Sequence, residues 1–68
     1  MEKFKERLKE LRIEKGLKQS ELGVALNTTD DTIFSWEKGR AEPSIEMIVK
    51  ICDFFDVSAD YLLGRIDD

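Results

Sequence analysis

The chain has 68 residues, 41% of them apolar and 38% charged, the balance of one small all-soluble domain spanning residues 1–68. No apolar run exceeds three residues, which argues against a membrane span or a signal-peptide core, and the lone cysteine fits a reducing cytoplasm as the expected location. One cysteine and no histidine exclude an internal disulfide and a zinc site, and no nucleophile–base pair is recognisable, so no enzyme, cofactor or metal is expected.

Residues 3–15 read as a first helix, because Phe4, Leu8 and Leu11 recur at helical spacing among Lys, Arg and Glu. Those charged residues are expected to form a mostly solvated face, and Ile13 lies off the apolar stripe. Gly16 followed by Leu17 is a stop signal of the Schellman type. A second helix over 18–26 offers Leu22, Ala25 and Leu26 to the core, and Asn27, which tolerates left-handed backbone, ends it. Thr29 can cap a third helix over 30–38, closed by Gly39.

Pro43 and Ser44 open a fourth helix over 44–55, where Ile45, Ile48, Val49, Cys52 and Phe55 fall in one apolar stripe. Ser58 can cap a last helix over 58–63, ended by Gly64. Five short helices without a strand signal predict an all-α five-helix bundle.

The second and third helices are joined by only three residues, which suits two helices crossing steeply, as in a helix-turn-helix. On the third helix Ile33 and Trp36 point one way, while Asp30, Asp31, Phe34, Ser35 and Lys38 occupy the opposite arc. A helix buried along one edge and polar along the other fits a DNA major groove about 12 Å wide. The net charge of −4 is not the basic balance usual for such a partner. It is segregated along the chain, however, with +3 over residues 1–18, −2 over 19–40 and −5 over 41–68.

The order of residues is more specific. Gln19-Ser20-Glu21-Leu22-Gly23, Leu26-Asn27-Thr28-Thr29 and Thr32-Ile33-Phe34-Ser35-Trp36-Glu37-Lys38-Gly39-Arg40 resemble the lambdoid phage repressor and Cro family, also called the xenobiotic-response-element family of bacterial regulators. Leu11-Arg12, Lys15-Gly16-Leu17, Pro43-Ser44, Val57-Ser58 and Asp60-Tyr61-Leu62-Leu63-Gly64 extend the likeness from about Phe4 to Gly64.

The resemblance implies a lambda-repressor-like domain that binds double-stranded operator DNA with its third helix and regulates transcription, foremost as a repressor. By the same resemblance Asp30, Asp31, Phe34 and Ser35 take base-reading positions. Lys18, Gln19, Thr29, Lys38, Arg40 and Ser44 take phosphate-contacting positions, and Arg12 with Glu37 a buried ion pair. A homodimer, weak without DNA, is expected to form through the acidic C-terminal part, with Val57, Tyr61, Leu62, Leu63 and Ile66 as candidate contacts.

Three positions depart from the family pattern. Lys18 stands where a Thr, Ser or Asn cap is usual, so a capping bond is expected to be lost. Gly23 stands for a small alanine, which permits close packing but costs about 0.5–1 kcal/mol in a helix interior. Asp30 and Asp31 put two carboxylates where glutamine, arginine or serine is usual. An aspartate can accept from cytosine N4. It also stabilises the first turn of a helix, and that alone would account for both residues. The rival to DNA binding is a protein-interaction module on the same scaffold, such as an antirepressor or antitoxin part.

Overall fold

In the computed structural model, which describes residues 2–67, five helices follow one another: α1 (Glu2–Glu14), α2 (Gln19–Ala25), α3 (Asp30–Glu37), α4 (Ile45–Phe55) and α5 (Ala59–Leu62). Three of the four internal helix starts are closed by a hydroxyl. Thr29 Oγ1 accepts from the Thr32 N–H, Ser44 Oγ from Met47 and Ser58 Oγ from Tyr61, each satisfying a donor that has no partner within the helix.

The helix ends share one device. At α1 the Leu17 N–H reaches back to the Arg12 carbonyl at 3.1 Å, and at α3 the Arg40 N–H reaches Ser35 at 2.9 Å. Left-handed glycines, Gly16 at φ 73° and Gly39 at φ 74°, turn the chain at these points. Asn27 at φ 60° and Asp56 at φ 56° do the same for α2 and α4, and Asp56 pays a steric penalty that glycine avoids.

Burial draws one core from all five helices: Phe4 and Leu8, Leu22 and Leu26, Ile33 and Trp36, Ile51 and Cys52, and Leu62. Leu11, Leu17, Met47, Ile48, Phe54, Phe55 and Leu63 pack around it. Helix α1 lies against α3 and α5, and α2 against α3. Gly23 sits where α2 meets the start of α3, and a Cβ there would stand 2.9 Å from the Thr29 carbonyl carbon and 3.1 Å from the Asp30 nitrogen. In this packing the missing methyl is a requirement of the crossing.

The core departs from the sequence reading in three places. Ala25 is exposed. The buried side of α4 is rotated away from the expected stripe, because Ile45 is 82% and Val49 53% exposed while Ile51 is wholly buried. Glu46, Lys50 and Asp53 share one arc of α4 and Val49 borders it, so the expected stripe lies too near the polar side. Arg7, read as part of a solvated face, is 8% exposed. Its guanidinium donates to the carbonyls of Tyr61 and Ile66, lies 4.3 Å from the Tyr61 ring centroid and pairs with Asp67 at 3.5 Å. A buried charge with several partners avoids the desolvation penalty that an unpaired one would suffer.

Candidate nucleic-acid interface

The third helix is positioned by its inner edge and its far end. Ile33 is wholly buried and Trp36 nearly so, which fixes the roll of α3 and turns its opposite arc to solvent. Glu37 anchors the last turn. Arg12 Nε and Nη2 donate to its two carboxylate oxygens at 2.7 and 3.1 Å, and Gln19 Nε2 donates to Oε1 at 3.1 Å. The Glu37 side chain is 3% exposed and that of Arg12 12%. Arg12 also donates to the Leu17 carbonyl at 2.8 Å, so one guanidinium ties α1, the following turn and α3 together. Because Gln19 opens α2, this network locks both helices of the motif at a fixed crossing.

Along the outer arc Asp30, Asp31 and Lys38 are exposed, Ser35 is half-buried and Phe34 is 37% exposed. Asp30 Oδ1 accepts from the Asp31 N–H at 2.9 Å, placing negative charge at the helix N-terminus, where the dipole favours it. Phe34 has company: Lys38 Nζ lies 5.6 Å and the Arg40 guanidinium 5.5 Å from its ring centroid, so both cations at the end of α3 gather on one aromatic side chain. Thr29, at the start of the arc, shares its hydroxyl with Thr32 at 3.0 Å.

Lys18 and Ser44 stand outside this arc, at the N-termini of α2 and α4. The Lys18 ammonium has no acceptor to offer, so no side-chain cap forms. Glu21 instead closes the turn from its other side, Oε1 accepting the Lys18 N–H at 2.7 Å. The Gln19 amide gives one N–H to Glu37 and keeps a second for an outside acceptor.

The candidate dimer contacts separate. Leu62 is wholly buried in the core and has no surface to offer a partner, which removes it from that set. Leu63 packs partly against the core, Ile66 is 45% exposed, and Val57 and Tyr61 line a shallow groove with Leu11, Asp56 and Ser58. Glu14, Lys15 and Phe55 extend it past Leu11.

Two contributors to this geometry escaped the sequence reading. Arg7 fastens the C-terminal segment that carries Tyr61 and Ile66. Its only signal was its place three residues after Phe4, at the margin of the apolar stripe. Lys50 donates to the Leu26 carbonyl at 2.9 Å, closing the end of α2 from α4, and no local pattern marks it. Cys52 is buried beside Asp53, and burial first, then that negative charge, pushes its thiol pKa up. Among the described residues no group of three or more His, Cys, Asp or Glu is arranged to hold a metal ion, and no helix is long and apolar enough to cross a membrane.

This chain, with two short helices tied together by Arg12, Gln19 and Glu37, is matched by the family model described as helix-turn-helix over residues 8–62. The chain belongs to the helix-turn-helix family. It is 34% identical over 59 residues to the HTH-type transcriptional regulator ImmR of Bacillus subtilis, covering 87% of this chain and 46% of that protein. The chain thus spans less than half the length of that relative.

Among solved structures it superposes on the P22 c2 repressor, crystallised in complex with a synthetic operator, with a TM-score of 0.81 and 27% identity. That match covers 87% of this chain and 89% of the repressor chain. A transcriptional regulator from Listeria innocua superposes with a TM-score of 0.86 and 31% identity, over 96% of this chain and 61% of that one. The five-helix arrangement is therefore that of the lambda-repressor-like helix-turn-helix domains.

Proposed function

We propose that this chain is the sequence-specific DNA-binding domain of a transcription regulator, acting foremost as a repressor. The observation that carries the reading is the free outer arc of α3, held at a fixed angle by the Arg12–Glu37–Gln19 network. Helix α3 enters the major groove, with Asp30, Asp31, Phe34 and Ser35 towards base edges. Lys18, Gln19, Thr29, Lys38, Arg40 and Ser44 serve the phosphates, aided by the free N–H groups of helix N-termini. The P22 c2 repressor, solved on an operator, supports this docking by its likeness over most of the chain.

A homodimer would present two such helices to half-sites roughly 34 Å apart. Val57, Tyr61, Leu63 and Ile66 supply contacts at the groove beside Leu11. Repression then follows from covering a promoter. With −5 over residues 41–68 and two carboxylates on α3, affinity for random duplex is low, because that affinity rests on phosphate neutralisation.

The test is titration with random duplex and with the DNA upstream of the protein's own gene across a salt series. A DNA-binding domain shows log affinity falling steeply with log salt. Gln19→Ala weakens all duplexes alike, and Asp30→Asn changes which sequence is preferred. The acidic arc favours one rival, a protein-interaction module, and absence of duplex binding at every salt concentration would establish it over the present reading.

A further inference from the structure

The outer arc of α3 pairs two chemistries that DNA offers side by side. Asp30 and Phe34 are one helical turn apart, which puts them on one face with about 5–6 Å between Cβ atoms. One Asp30 oxygen is held by the Asp31 N–H, and the second has no partner among the described residues. Phe34 as a residue stays 37% exposed even with Lys38 and Arg40 gathered on its ring. An unpartnered acceptor thus stands next to a fixed apolar edge.

In the major groove cytosine presents its N4 amine as a donor, and a C5 methyl is the apolar feature of a pyrimidine. A thymine alone does not satisfy the pair, since its O4 is an acceptor and meets the carboxylate badly. We infer that Asp30 and Phe34 together recognise a pyrimidine C5 methyl beside a cytosine N4 amine. The methyl comes either from a thymine next to a cytosine or from a single 5-methylcytosine that carries both groups. Lys38 and Arg40, gathered on the same ring, bring positive charge to the arc that its two carboxylates would otherwise turn away from phosphates. The inference rests on the DNA-binding reading above and names the base chemistry that reading leaves open.

The experiment begins with the preferred duplex selected by the whole chain from a random pool. Each thymine is replaced in turn by deoxyuracil, which removes only the methyl, and each cytosine by 5-methylcytosine, which adds it. The expected result is one position per half-site where removal lowers affinity, or addition raises it, about fourfold, the worth of one buried methyl. A response to the first series assigns the methyl to thymine, and a response to the second to 5-methylcytosine. The response disappears in Phe34→Ala and persists in Phe34→Leu, which keeps an apolar contact and controls for folding.

Specific binding with no methyl response at any position overturns the inference while leaving the DNA-binding reading intact. So does a response that survives unchanged in folded Phe34→Ala. If no duplex is selected at all, both fall together.

Discussion

Replacing Arg12 by methionine removes the cation but keeps most of its length and apolar contact. Glu37 is then left with a side chain 3% exposed and one remaining donor, Gln19 Nε2 at 3.1 Å, in place of three. Leaving one member of a buried pair without the other costs about 3–5 kcal/mol, because the remaining charge is neither solvated nor compensated. A chain of this length has a total stability of about 3–10 kcal/mol, so the variant stands close to unfolding at room temperature. Urea titration followed by far-UV circular dichroism measures the difference.

The double variant Arg12→Met with Glu37→Leu removes both charges, and Gln19, half-buried, finds water instead. It is expected to recover most of the loss, since an apolar pair of similar volume often equals a buried ion pair. Two results would refute the reasoning: a loss below about 1 kcal/mol in the single variant, as for a solvated pair, or a double variant whose deficit is the plain sum of the two singles.

Three further outcomes follow from packing, backbone and burial. Gly23→Ala gains up to about 1 kcal/mol of helix propensity. It also puts a methyl 2.9 Å from the Thr29 backbone, so thermal unfolding should report a net loss of about 1–3 kcal/mol, and a rise in Tm would contradict the close approach. Asp56→Gly relieves a left-handed residue at φ 56° and removes a negative charge from the end of α4, so a gain of about 1 kcal/mol in chemical denaturation is expected. Cys52, buried and with its pKa raised by burial and Asp53, should react with a thiol reagent at neutral pH far more slowly than in urea, and equal rates would place it at the surface.

Much of the molecule is written locally. A hydroxyl before a helix, a glycine or asparagine after it and two residues spaced to one side, as with Thr29, Gly39, Ile33 and Trp36, act over one or two turns, where sequence neighbours are also spatial neighbours. The arc of α3 was therefore legible before any tertiary contact was known, whereas the pairing of Arg12 with Glu37, 25 residues apart, was implied only by the family resemblance.

Other features depend on what a distant segment brings. Nothing near Arg7 says that the Tyr61 and Ile66 carbonyls will arrive to receive it, nor does the sequence around Lys50 announce the open end of α2. Leu62 looked like a contact for a second chain until the bundle closed over it. By itself the amino-acid order determined where helices begin, end and turn one edge inward. Tertiary structure decided which apolar surfaces remain and which charges are locked, because burial and pairing belong to segments far apart in the chain and have no period that local spacing could reveal.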